Sequence, residues 1–365
     1  MDTDFFITVL IVGGLLLLSF LHLTNVTSVN RRANLLFGVF TFQWSTFWLD
    51  ELLFAEYLNT TNALFVIFRL FQFLVPISFI LSVKFYTEPD TRLAWRHAWI
   101  AVAPVVFLVF LLSPESIKTE SFELSAIMFF LGHSIFYTIW AHIKILKHQR
   151  IIKSIHSYTE NIDLRWIKYI TYSFIGSAIV VAAYNFLTKA EPLNIYINLF
   201  FVAVVYLVAF YSLRQKEIFP RGMELSDVVS GNTLIEKAQD APKTKVVEDS
   251  ELYILKERLL QLMENEQPYL NSELNLVKLA GQMGLSTHQL SYVINTAFGE
   301  NFFNFINRYR VRKAKELLKN PAYDRFNILV IGYESGFNSK TSFNTTFKKM
   351  TDYTPSEYRR KRIQT

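Results

Sequence analysis

The sequence predicts an all-α chain in two parts: a seven-helix transmembrane bundle, then an all-helical domain with two helix-turn-helix units. Three observations predict it. Hydrophobic residues make up 51% of the 365 positions and charged residues only 19%, a balance that points to a membrane part. Seven apolar runs follow one another through residue 213, each long enough to cross a hydrocarbon core of ~30 Å as a helix. The last third then holds two copies of one pattern: a short apolar helix, a glycine turn, and a second helix with one apolar and one polar face.

The runs are Phe5–Leu23, Ala33–Phe54, Asn62–Tyr86, His97–Ser113, Phe122–Lys147, Ile167–Thr188 and Leu193–Leu213. A buried soluble core is the alternative, and the absence of a charged face on seven successive runs argues against it. The first run is not expected to be a cleaved signal peptide. Asp2 and Asp4 precede it in place of a basic segment, and no small-residue cleavage site follows.

Orientation follows from Lys and Arg at the ends of the runs. Arg31, Arg32, Lys84, Arg92, Arg96, Lys144, Lys147, Arg150, Lys153, Arg165, Lys168, Arg214, Lys216 and Arg221 fall on one side, and Lys118 and Lys189 on the other. Fourteen against two predicts an N-terminus outside and a C-terminus in the cytoplasm. With 34 Phe and no Cys, this pattern suggests a bacterial inner membrane, and the lipid bilayer is the first expected partner.

Polar groups inside spans are expensive, so their positions inform. Arg69 lies about two turns into the third run, at a depth where Asp50 or Glu51 of the second can pair with it. Gln72 sits one turn away, Asn185 and Asn198 belong to the outer ends of runs six and seven, and Trp44 and Trp48 share the same half of run two. These eight residues are expected to line a cavity open to the outer side, for a small-molecule or membrane-protein signal. That requires runs two, three, six and seven to be neighbours. Helix–helix hydrogen bonding with an interfacial aromatic belt is the competing reading. His133, near the middle of run five, reads as packing.

Residues 1–216 therefore form the membrane domain. Residues 217–250, with Pro220, Gly222, Gly231 and Pro242 and no sustained apolar stripe, read as a linker. A helix from Glu251 to Glu264 aligns Leu252, Leu255, Leu259, Leu262 and Met263. Packing within its own domain is the first reading of that face, and dimerisation the second.

The first repeat places Leu276, Leu279 and Ala280 on one helix face and Gly284 at the turn. Ser286-Thr287-His288-Gln289 is a capping box, and Leu290, Val293 and Ile294 form the next buried face. A helix from Phe302 to Leu318 connects the copies. It carries Phe302, Phe305, Ile306, Tyr309, Ala314, Leu317 and Leu318 at helical spacing, crowded by Arg308, Arg310, Arg312, Lys313 and Lys315. In the second copy Asn327 caps a helix with Ile328, Leu329 and Ile331, Gly336 permits the turn, and Ser339 caps a helix with Phe343 and Phe347 on one face. Thr354-Pro355-Ser356-Glu357 starts a last helix as a capping box with Pro at its first position.

Over residues 251–360 the chain resembles the AraC-type bacterial transcription regulators. LAGQMGLSTHQLSYVINTAFGENFFNFINRYRVRKAKELL is similar to that family's first helix-turn-helix and linker helix, and GFNSKTSFNTTFKKMTDYTPSEYRR to its C-terminal signature. Gly332 stands where the family usually has Ala, which should loosen that helix by about 1 kcal/mol. Asp352 stands where it usually has Gly, a turn position that Asp tolerates. The resemblance implies that residues 251–365 are a DNA-binding domain and that double-stranded DNA is a partner. It places base reading on Thr287, His288, Ser291, Tyr292 and Asn295 in the first copy and on Lys340, Thr341, Asn344 and Thr345 in the second. Neither face carries Arg, so bidentate guanine contacts from Arg are absent there. Residues 251–365 carry seventeen Lys and Arg against eleven Asp and Glu. Arg359 and Arg360 in the tail are expected on phosphates, with a solvated or membrane-facing stretch as the alternative.

The sequence holds no phosphate-binding glycine loop, no zinc-ligand spacing and no nucleophile with a placed base. His142, His148 and His156 do not share a helical face. The expectation is a non-enzyme without cofactor or metal: a membrane-embedded one-component regulator whose membrane domain controls sequence-specific DNA binding. A transporter-like or partner-binding membrane protein with a DNA-binding output is one alternative, and an anchored regulator without sensing is another.

Overall fold

Apolar runs become helices in the computed structural model, which describes residues 3–27, 29–50, 52, 63–89, 91, 94–160, 162–187, 194–215 and 249–364. Those residues form helices and short 3-10 turns, with no strand; an isolated bridge pairs His156 with Asn275. The chain divides into two compact units, residues 1–148 with 164–217, and residues 149–163 with 218–365. Apart from its last two residues, the expected linker 217–250 lies outside the described residues.

The first unit comprises α1 (Thr3–Leu23), α2 (Arg31–Leu49), α3 (Ala63–Phe73), α4 (Val75–Thr87), α5 (Val102–Leu112), α6 (Glu120–Ile155, to His148), α7 (Arg165–Leu187) and α8 (Asn194–Leu213). Among the described residues, four stretches are long and apolar enough to cross a membrane: Thr3–Leu23, Ala63–Thr87, Glu120–Ile155 and Ile195–Leu213. The helix in the fourth predicted run is shorter, Ala98–Leu112. The third run is interrupted at Leu74, two residues before Pro76, whose missing N–H breaks the ladder there. α1 packs on α2 and α8, α2 on α4, and α7 on α8. Ser19 on α1 donates to the Gly38 carbonyl of α2 at 2.8 Å, a small-residue approach of the kind that holds apolar helices together. His133 stacks on Phe73 at 4.0 Å, a packing role.

At 36 residues α6 is about 54 Å long, well beyond a hydrocarbon core of ~30 Å. The fifth run was expected to end near Lys147; the helix instead continues through the basic stretch to Ile155. Its last turns and the loop behind it belong to the second unit.

The rest of the second unit is α9 (Asp249–Asn265), α10 (Leu276–Met283), α11 (Thr287–Phe298), α12 (Phe302–Lys319), α13 (Ile328–Glu334), α14 (Lys340–Thr351) and α15 (Pro355–Gln364). The predicted caps form. Ser286 and Gln289 exchange bonds in a capping box, Ser339 accepts from Ser342 N, and Thr354 and Glu357 bond reciprocally. Asp352 ends α14 at φ 64°, the left-handed conformation expected of it. Gly336 has φ 88°, and a Cβ there would lie 2.9 Å from Leu270 Cα, so backbone conformation and space both demand glycine.

Two hydrophobic cores share α12. Phe302, Phe305, Ile306 and Tyr309 pack with α9, α10 and α11, whereas Val311, Ala314, Leu317 and Leu318 pack with Ile331, Phe337, Phe343 and Phe347. Leu255, Leu259 and Met263 of α9 are buried in the first core. The apolar face of α9 is therefore used inside the domain, the first of its two readings.

Candidate nucleic-acid interface

Helices α13 and α14 present the clearest candidate surface. Phe343 and Phe347, one turn apart, are fully buried and hold one face of α14 in the second core. Residues two positions from a ring, Thr341 and Thr345, turn outward, and Lys340 lies exposed in the first turn. Lys340, Thr341 and Thr345 are exposed, and Asn344 is half-buried beside them. The four side chains expected to read bases thus share one accessible face.

In α11 the same logic gives a shallower surface. Leu290, Val293 and Ile294 are buried, and Thr287, His288 and Ser291 are half-buried. Tyr292 packs against the first core and is committed partly to folding. Asn295 donates through its side-chain amide to the Ser291 carbonyl at 2.8 Å, a bond within its own helix.

The tail divides between structure and surface. Arg359 donates to the Phe326 carbonyl at 2.9 Å, tying α15 to the segment before α13, while Arg360 is exposed. Of the cations on α12, Arg308 pairs with Glu300 at 3.2 Å, Arg312 with Glu264 at 2.7 Å and Lys313 with Glu316 at 3.9 Å. Those pairs make a solvated, partly neutralised face.

Arg310 departs from the reading that grouped it with these surface cations. It is 1% exposed and donates to the carbonyls of Tyr269 and Asn271, each at 2.8 Å, and of Ser157 at 3.1 Å. Burial pulls its guanidinium down to about 9, which leaves it charged at neutral pH. Its register was the available signal: it lies four residues after Ile306 and four before Ala314, on the apolar face.

Of the residues expected to form an outer cavity, Arg69, Asp50 and Gln72 make one cluster in the first unit, and Trp48 and Asn198 a second contact. Arg69 pairs with Asp50 at 3.0 Å and donates to Gln72 at 2.8 Å; Gln72 donates to the Thr46 carbonyl at 3.1 Å. Trp48 donates to Asn198 at 2.8 Å. Trp44 is buried among Phe40, Trp48, Phe174 and Phe201. Contacts from α2 therefore reach α3, α7 and α8, the neighbours the cavity required. Asn185 lies in α7, whereas Glu51 lies outside the described residues.

Residues 279–361 match the family described as helix-turn-helix domain. An uncharacterized HTH-type transcriptional regulator of Pseudoalteromonas carrageenovora, in the cgkA 5' region, is 30% identical over 115 residues, 32% of this chain and 59% of that protein. An uncharacterized HTH-type transcriptional regulator of Staphylococcus aureus (strain COL) is 31% identical over 103 residues, 28% of this chain and 13% of that protein. The chain thus spans less than two thirds of these relatives' length. A solved structure of a protein of unknown function from Listeria innocua is 30% identical, with 29% of this chain and 95% of that one covered, at a TM-score of 0.25.

Proposed function

Given an AraC-type helix-turn-helix domain at the C-terminus, we propose that the chain is a membrane-embedded one-component transcription regulator. Its partner is double-stranded DNA, read by two helix-turn-helix units, α10 with α11 and α13 with α14. The observation that carries this reading is the outward face of α14. Lys340, Thr341 and Thr345 are exposed and Asn344 half-buried beside the stripe of buried Phe343 and Phe347, inside the matched segment. In this reading the two recognition helices enter successive major grooves, about 34 Å apart. Arg360 contributes phosphate attraction without sequence choice. In binding assays with the full-length protein, Asn344→Ala is expected to change operator preference by about 1–3 kcal/mol. Equal weakening on operator and random duplex would remove α14 as the base-reading helix.

The membrane domain, residues 1–216, has seven spans in this reading, with the N-terminus outside and the C-terminus cytoplasmic in a bacterial inner membrane. Residues 217–250 link it to the DNA-binding domain, residues 251–365. The Arg69–Asp50–Gln72 cluster with Trp48 and Asn198 is the proposed sensing site. One observation favours a second reading, an anchor without sensing. Arg69 and Gln72 already have partners within the cluster, which also suits structural reinforcement of the helices.

A further inference from the structure

We propose that the loop between α6 and α7 is an autoinhibitory clamp on the proposed DNA-binding domain, with Glu160 as its pin. This inference rests on the DNA-binding reading of α14. The loop groups with the second unit, and its anchorage is specific. His156 bridges to Asn275, the residue that caps α10. Ser157 Oγ donates to the Leu274 carbonyl at 2.6 Å, and the Ser157 carbonyl accepts from Asn307 at 3.0 Å and from Arg310 at 3.1 Å. Both of those donors are buried on α12, the helix that belongs to both cores. Arg310 also donates to the Tyr269 and Asn271 carbonyls, so one guanidinium joins the loop to the chain ahead of α10.

Three residues beyond Ser157, the Glu160 carboxylate accepts from the Ser339 hydroxyl. Ser339 is the N-cap of α14 and precedes Lys340, the first residue of the proposed base-reading face. The positive end of a helix and its free N–H groups favour an anion at this position, and duplex phosphates commonly settle at such ends. A carboxylate held there competes with a phosphate and repels its neighbours. DNA binding by α14 then requires Glu160 to leave. The loop is continuous with α6 on one side and α7 on the other. A shift in either helix would move the pin directly, without passing through residues 217–250.

The native chain lacks cysteine, which permits a direct test. Full-length protein carrying Glu160→Cys and Ser339→Cys is reconstituted in lipid nanodiscs, oxidised or reduced, and titrated with a 30-bp random duplex and with chromosomal fragments of the host. The oxidised protein is expected to cross-link within the chain and to lose at least tenfold in affinity, with recovery on reduction. Glu160→Gln in the otherwise native chain is expected to bind the random duplex about two- to fivefold more tightly. Failure to cross-link, both by oxidation and with a short bismaleimide that spans the longer reach of the native Glu side chain, would overturn the docked loop. Cross-linking that leaves affinity unchanged would overturn the clamp alone. Absence of DNA binding by every form, including Glu160→Gln, would instead overturn the DNA-binding reading on which the clamp depends.

Discussion

Gly332 in α13 faces the ring of Phe343, and a Cβ added there would lie 2.7 Å from Cδ1 and 3.0 Å from Cγ. That ring is fully buried against Phe337 at 5.0 Å and Phe347 at 5.6 Å, so it has little room to retreat. Judged by helix propensity, glycine costs this helix about 1 kcal/mol relative to alanine. Judged by packing, overfilling a close contact costs about 1–3 kcal/mol. The second effect outweighs the first, and Gly332→Ala is expected to destabilise the domain by about 1 kcal/mol. Chemical denaturation of the full chain, followed by a probe in α14, checks this. The same substitution in a Phe343→Leu background should cost less; an equal cost in both would show that the ring is not the obstacle.

At the scale of elements, caps position the proposed reading helix and its neighbour. Ser339 starts α14, Asp352 ends it, and the Thr354–Glu357 box starts α15. The Thr354 backbone N–H, then its hydroxyl, hold Glu357 below the usual carboxylate range. A depressed folded pKa means that this cap contributes stability above the unfolded carboxylate pKa. The contribution is lost as pH falls through the lower folded value. Amide protection at the start of α15, taken relative to the intrinsic exchange rate at each pH, should therefore fall on acidification below the ordinary Glu range. Glu357→Gln should remove that dependence, and a variant that kept the same profile would assign it to another group. The caps and apolar faces of these helices were legible because they are local: the side chain and the N–H it satisfies lie within three residues. The commitment of Tyr292 to the first core and of Arg359 to the Phe326 carbonyl was not legible, because both partners come from elsewhere in the fold.

For the molecule as a whole, the fourteen-to-two basic asymmetry predicts a cytoplasmic C-terminus. A reporter fused after Thr365 should be active as a cytoplasmic fusion, and activity confined to the extracytoplasmic side would reverse the topology. The sensing proposal meets its test at Arg69→Gln, with expression, insertion and DNA binding followed in parallel. Loss of the transcriptional response while the other three persist is the expected outcome. A response that persists unchanged would leave the Arg69–Asp50 pair as reinforcement between helices. The pairing was partly readable, since a cation and two acids at similar depth on adjacent runs have few other ways to offset their burial. The contact of Arg69 with Asp50 itself, at 3.0 Å, came only from the fold.

By itself the sequence determined what depends on neighbours along the chain. It specified helices from apolar period, their ends from Ser286, Asn327, Ser339 and Thr354, and the left-handed turn at Asp352. It also specified the family of the C-terminal domain, because a signature is a linear pattern. Only the tertiary structure decided which polar groups are spent inside the fold. Arg310 has the composition of a phosphate-binding residue and the position of a core one; its fate was settled by carbonyls at residues 157, 269 and 271, far apart in sequence. The docking of the 156–160 loop on α12 and Ser339 belongs to the same class. Hydrophobic period marks which face of a helix is buried, but it carries no information about which distant backbone will meet that face.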